Sequence, residues 1–268
     1  MHSTIPEDLD LSAFSDIARS AISQHISRDF GDTGFQKVKI VVSNGGRFVF
    51  SYTIGRLWRR RGSSCRSTLW IIAPDIMVGT VVVIEERAGV EKTDIWLRLR
   101  TTRKPIFVSA DRLYDCVLGT DFSYADFRFW VPFDTLLLEK AEEGSFNGQA
   151  VTLISGRVCA TGLEERAVTM AFCAESGVLS EMIWSRSGEC QPVRVLQAED
   201  CLKIDGIWTP RVIVVSRPQD GYSSRMMLRG ITHKLAVDDI LFDPERVDSA
   251  HLAELTTALE LVHTDLGD

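Results

Sequence analysis

The sequence predicts a mainly β (α+β) protein: one strongly curved antiparallel sheet, or open half-barrel, with a helix at each end of the chain. Short apolar segments, about ten or more, repeat with a period of two. Glycine-containing turns punctuate them at close intervals. Helical periodicity is confined to the two ends of the 268-residue chain. A sheet that wide has to curl, and its concave face has to be filled by helices, loops or a ligand.

Composition bounds the reading. The chain is 45% hydrophobic and 25% charged with a formal net charge of −7, ordinary values for a globular protein. No linker rich in Pro, Gly or Ser divides it, so one structural domain is expected: an N-terminal segment, 1–34, carrying a helix, and a β domain over 35–268. No apolar run reaches the roughly 18 residues of a membrane-spanning helix. The acidic balance, without a recognised binding module, argues against nucleic acid as a partner. The opening Met1 to Asp8 has neither a basic n-region nor an apolar h-region, which predicts a cytoplasmic protein, or a periplasmic one if a leader has been removed from the numbering. Cys65, Cys116, Cys159, Cys173, Cys190 and Cys201 form no C-x-x-C pair. They are expected to be reduced thiols packed as small hydrophobes, with no metal and no cofactor.

In chain order, Phe14, Ile17, Ala18, Ala21, Ile22 and Ile26 share one helical face, which predicts a helix over 12–29 with Ser12 as N-cap and Gly31 beyond its end. From Phe35 the period changes to two. Val38, Ile40 and Val42 lead through Asn44-Gly45 to Phe48, Phe50, Tyr52 and Ile54 on the returning strand. Arg56 to Arg61, with Trp58, Arg66 and Trp70, concentrates cations and indoles. Such a group suits an anionic headgroup or phosphate, or else solvated strand ends that resist aggregation. Val81 to Ile84 is apolar on both faces, as a central strand is. In Asp94 to Arg100, Ile95, Leu97 and Leu99 alternate with Trp96, Arg98 and Arg100. Further strands read over 135–139, 149–155, 167–173, 179–184, 191–197, 202–204, 210–215 and 224–228, with Gly144, Gly148, Gly156 and Gly177 at or near turns. Leu252, Leu255, Leu259 and Val262 have helical spacing and predict a C-terminal helix.

One stretch breaks the strand rhythm. Leu118-Gly119-Thr120-Asp121-Phe122-Ser123-Tyr124-Ala125-Asp126-Phe127 combines a glycine free to take positive φ, two carboxylates and three aromatics. This is a turn in which Thr120 and Asp121 bond nearby backbone N–H groups and Phe122, Tyr124 and Phe127 fold onto apolar surface. The stretch resembles the G-T/S-D-F-S-Y-x-D hallmark of bacterial outer-membrane lipoprotein-sorting proteins, a branch of the LolA/LolB-like lipoprotein carriers. Ala73-Pro74-Asp75 followed by Gly79-Thr80 resembles that family's P-x-x-x-x-G-T element, and Asp205-Gly206-Ile207-Trp208-Thr209-Pro210 its D-G-x-W-x-P hairpin. The motifs occur in the family's order between about Phe35 and Phe242. Arg98 stands where the family has an aromatic in its W-L-Y-L-P strand, and the proline is missing. The resemblance implies a LolA-like half-barrel with a helical lid over an apolar cavity that accepts acyl chains.

No G-x-S-x-G elbow, Walker loop, Rossmann fingerprint or H-E-x-x-H is present. The remaining catalytic candidates are weak. Asp121 and Asp126 form a carboxylate pair or cap turns, Tyr124 adjoins them, and His233, among scattered histidines, is a cavity base or a structural residue. Two functions follow. One is a binding protein for a hydrophobic small molecule, lipid or acyl chain, with Trp58, Trp70, Trp96, Phe122 and Tyr124 as walls and Arg98 or Arg100 as a headgroup contact. It would carry its ligand to a transient partner protein. The other is a cytosolic enzyme of specialised metabolism that rearranges an apolar intermediate by cyclisation or isomerisation on the same scaffold.

Overall fold

The computed structural model describes residues 12, 14–27, 32–87, 93–128, 136–158, 166–186, 188–189 and 191–260. Helix α1 is Asp16–Ser27. The strands are β1 Thr33–Asn44, β2 Arg47–Arg61, β3 Ser64–Ala73, β4 Val81–Arg87, β5 Asp94–Arg98, β6 Ile106–Val108, β7 Leu136–Phe146, β8 Gln149–Val158, β9 Arg166–Cys173, β10 Leu179–Arg186, β11 Pro192–Ile204, β12 Ile207–Arg217 and β13 Tyr222–His233, followed by α2 Ser249–Glu260. All thirteen strands form one antiparallel sheet in the order β6-β5-β4-β3-β2-β1-β13-β12-β11-β10-β9-β8-β7. The chain starts at the centre, steps outward to the β6 edge, crosses to the β7 edge and steps inward until β13 closes against β1. The sheet does not close between β6 and β7, so it is the expected open half-barrel.

The two faces bury separate cores. On the inner face Val38, Ile40, Val42, Ile54, Val82, Ile84, Ile95, Ile154, Met170 and Val215 meet α1 and the segment that crosses between the edges. On the outer face Phe35, Leu57, Trp70, Val81 and Val83 meet Leu241, Phe242, Val247 and α2. Alternation along the strands produces this division, and β4, covered on both sides, is apolar at every position from Val81 to Ile84.

Two glycines fix register near the centre. Gly34 on β1 pairs with Trp58 on β2, and Gly55 on β2 pairs with Trp70 on β3. A Cβ on Gly34 would lie 2.1 Å from the Trp58 ring, and one on Gly55 would lie 2.3 Å from the Trp70 ring. Each indole thus lies flat across a bare backbone, Trp58 on the inner face and Trp70 on the outer. Trp70 also stacks on Phe35 and donates its indole N–H to Thr256 Oγ1 at 3.2 Å, which ties α2 down.

Several expected boundaries move. Helix α1 begins at Asp16, capped by Ser15 rather than Ser12: the Ser15 carbonyl accepts from Arg19 N–H at 2.8 Å and its hydroxyl from Ala18 N–H at 3.4 Å. Gly31, Thr135, Val262, Cys159 and Cys190 lie outside the described residues. Gly144 and Gly156 sit within β7 and β8, and the turn there is Asn147-Gly148, both at positive φ. Gly156 is needed where β7 steps irregularly between Leu138 and Lys140, since a Cβ would lie 2.4 Å from the Leu137 carbonyl oxygen. The segments read as 191–197 and 202–204 are one strand, β11. Its pairing with β12 passes over Asp200, a left-handed residue at φ 51°, and continues in the same register beyond it.

Candidate functional site

The segment between β6 and β7 builds the site. A tight turn at Leu118 and Gly119, with φ of 51° and 76°, reverses the chain. Thr120 closes it: the hydroxyl donates to the Val117 carbonyl at 2.8 Å and accepts from Phe122 N–H at 3.3 Å. Tyr52 on β2 donates to the Leu118 carbonyl at 3.2 Å. Phe122, Tyr124 and Phe127 are buried against the inner face. Burial and the nearby Asp115 carboxylate push the Tyr124 hydroxyl above its usual pKa.

Asp121 and Asp126 fasten this segment to the opposite half of the sheet. Asp121 was expected to accept backbone N–H bonds. Instead its carboxylate accepts from Arg217 Nε on β12 at 2.6 Å and from Ser224 Oγ on β13 at 2.7 Å, while its own N–H donates to Ser224 Oγ at 2.8 Å. Asp126 closes a capping box with Ser123, accepting its N–H at 2.6 Å and its hydroxyl at 2.9 Å, and also pairs with Arg194 on β11. Each carboxylate therefore has its own arginine. Arg128 ends the segment in a buried ion pair with Glu86 on β4, Nε to Oε2 2.9 Å. One short stretch thus ties strands β4, β2, β13, β12 and β11 together, which a curled sheet permits.

Between this segment, α1 and strands β10 to β12 lies a cavity of about 150 Å³. Its apolar wall is Ile26, Met182, Leu196 and Ile213; its polar wall carries Arg56, Ser123, Asp126, Arg128 and Trp184. A second space of about 70 Å³ adjoins it through Arg56, Asp126, Leu196 and Ile213 and is bordered by Phe122. None of the residues lining the larger inner cavity is exposed. Arg56 points inward from β2, donates to the Phe127 carbonyl at 2.9 Å and lies over the Phe127 and Trp58 rings. Trp184, 5% exposed, has no acceptor for its indole N–H among the described residues. Helix α1 is held across the cavity by His25, whose Nδ1 lies 2.9 Å from the Gly177 carbonyl, and by Gln24, whose amide donates to the Ala174 and Glu175 carbonyls. On the outer face a groove of about 220 Å³ separates β3 and β4 from α2, but Val78, Ser249, Ala253 and Thr257 on its walls are exposed.

The structure does not gather the residues named as ligand walls. Trp58 is wholly buried on the inner face between Gly34 and His233, and Phe122 and Tyr124 belong to the inner core. Trp70, Trp96 and Arg98 belong to the outer face: Trp96 meets Phe107 edge-on, and Arg98 donates to the Val247 carbonyl that leads into α2. Arg100 is exposed and caps the Asp75 and Ile76 carbonyls. Strand alternation also splits the expected cationic patch. Arg56 goes inward, Arg59 goes outward to Asp239 and the Phe242 ring, and Arg66 pairs with Glu85 at 3.1 Å. His233 lies 3.1 Å from Asp205, beside Trp58 and away from the two aspartates. Among the described residues no three His, Cys, Asp or Glu side chains gather as metal ligands do. Trp184 and Arg194 escaped the sequence reading as site residues, and Arg56 was read only as part of the cationic group, although it continues the Phe50, Tyr52, Ile54 face in period two.

With this geometry in hand, comparison places the chain. A protein-family model described as that of an "Uncharacterized protein" matches residues 65–248. No curated protein matches the sequence. Among solved structures, a DUF1329 family protein from Desulfovibrio piger superposes with a TM-score of 0.76 at 15% identity, covering 85% of this chain and 98% of the other. A putative outer membrane lipoprotein-sorting protein domain from Vibrio parahaemolyticus gives 0.75 at 14%, covering 84% and 95%. A LolA superfamily protein from Nitrosomonas europaea gives 0.65 at 13%, covering 87% and 100%. The chain belongs to the family whose model spans residues 65–248, and its fold is that of the LolA superfamily.

Proposed function

We propose that the protein binds a hydrophobic or acylated ligand on the inner face of its half-barrel. The observation that carries this reading is the inner cavity itself: space left unfilled between α1, the crossing segment and β10 to β12, with no lining residue exposed. Protein interiors are otherwise close-packed, and an empty apolar-walled cavity forgoes contacts that a ligand restores. The solved lipoprotein-sorting domain of similar fold agrees with it. At about 150 Å³ the cavity accepts a benzene-sized group, so a longer acyl chain enters only if α1 or the crossing segment shifts. The driving force is apolar burial, about 0.8 kcal/mol per CH₂.

Native mass spectrometry of the protein as purified, followed by solvent extraction, tests the proposal. A bound phospholipid, fatty acid or acylated peptide is the expected result. A polycyclic metabolite that the protein converts on incubation would replace binding with catalysis.

A further inference from the structure

We propose that the corner of the sheet formed by the β3–β4 and β5–β6 connections docks on an anionic lipid surface, its apolar side chains entering the interface while its cations meet headgroup phosphates. This corner shares no residue with the lining of the inner cavity.

Topology gathers the surface. Strands β1 to β6 are consecutive antiparallel neighbours, so the β1–β2, β3–β4 and β5–β6 connections all leave the sheet at one end. Of the eight large hydrophobic side chains exposed among the described residues, six stand in or beside these connections: Phe48, Val49, Ile76, Val78, Ile106 and Phe107. Ile76 is 74% exposed on the single turn Asp75–Met77 after β3. Arg100, from the β5–β6 turn, donates to the Asp75 and Ile76 carbonyls at 3.4 and 3.3 Å and so holds the two loops side by side. Apolar side chains scattered singly over a surface need no explanation, but a cluster at one corner marks an interaction site. Charge identifies the partner. Residues 74–80 and 99–107 carry Arg100, Arg103 and Lys104 against Asp75 alone, whereas the whole chain is −7. All three cations are exposed. Apolar tips set among cations match the acyl boundary and the anionic headgroups of a bilayer. A fluid interface also receives separate tips without a matching shape, which an acidic protein surface would have to supply.

The experiment is flotation of the whole protein with vesicles of phosphatidylcholine alone and of an equal mixture with phosphatidylglycerol. The parent is expected to bind the mixed vesicles about ten-fold more tightly than the neutral ones, an advantage that shrinks as salt is raised. Ile76→Asn removes an exposed apolar tip without adding charge. It should weaken binding to the mixed vesicles by about five- to ten-fold and melt as the parent does. Replacing Arg103 and Lys104 together by glutamine should abolish most of the preference for anionic vesicles. Leu137, 53% exposed on the opposite edge strand β7, supplies the control, and Leu137→Asn should bind as the parent does. Failure of the parent to float with the mixed vesicles refutes the lipid surface and leaves the cations to an acidic protein partner. Flotation that Ile76→Asn leaves intact, or that Leu137→Asn reduces equally, refutes the assignment to this corner.

Discussion

Replacing Asp121 by alanine tests whether the crossing segment is held to the sheet by side chains. The carboxylate is 1% exposed and joins two partners of different character. Ser224 is fully buried, so its hydroxyl loses its acceptor with no water to replace it, at a cost of about 1–3 kcal/mol. Arg217 is 36% exposed and rehydrates, so its share is about 0–1 kcal/mol. Together these give roughly 1–4 kcal/mol, or a fall in melting temperature of about 2–16 °C for a chain of this size. Ser224→Ala and the double variant complete a cycle in which the two sites are coupled, because they share a side-chain hydrogen bond that either substitution removes. Differential scanning calorimetry measures all three. An Asp121→Ala protein that melts within a degree of the parent would refute the clamp. If it also lost ligand, Asp121 would belong to the binding site rather than to its support.

Phe122→Ala, at a ring 1% exposed beside the smaller inner space, should cost about 3–5 kcal/mol and lower the urea midpoint without changing the m-value. Gly34→Ala drives a methyl into the Trp58 ring and should destabilise by about 1–3 kcal/mol, read from the same urea curves. Arg59 donates to Asp239 and holds its carboxyl below the usual range. The native state therefore gives up that proton more readily than the unfolded chain. Its contribution is present above the ordinary carboxylate pKa and is lost as pH falls through the lowered one. Melting temperature followed from pH 6 to pH 3 should thus fall less steeply for Asp239→Asn than for the parent.

How far the sequence carried depended on which faces an element presents. Half-barrel architecture was legible because period two, turn glycines and terminal helices all pointed one way, and the Asn147-Gly148 and Asp205-Gly206 turns follow from residues that tolerate positive φ. The split between inner and outer faces was not legible. Whether Trp96 and Arg98 look inward depends on which side α2 covers, a contact between Arg98 and Val247 that no local pattern encodes. The irregular step beside Gly156 adds a residue to one strand and shifts its parity, so alternation cannot be extrapolated past it. Asp121 was recognisable as a clamp, yet its partners lie 96 and 103 residues away and could not be read from its neighbours.

The central claim is that the ligand occupies the inner cavity and not the larger outer groove. Ala198 on β11 lines the former and Ala253 on α2 lines the latter, so phenylalanine at each position fills one space and leaves the other. The decisive measurement is the affinity of both variants for n-propylbenzene. Ala198→Phe is expected to abolish binding, while Ala253→Phe should bind as the parent does. Binding retained by Ala198→Phe and lost by Ala253→Phe would contradict it.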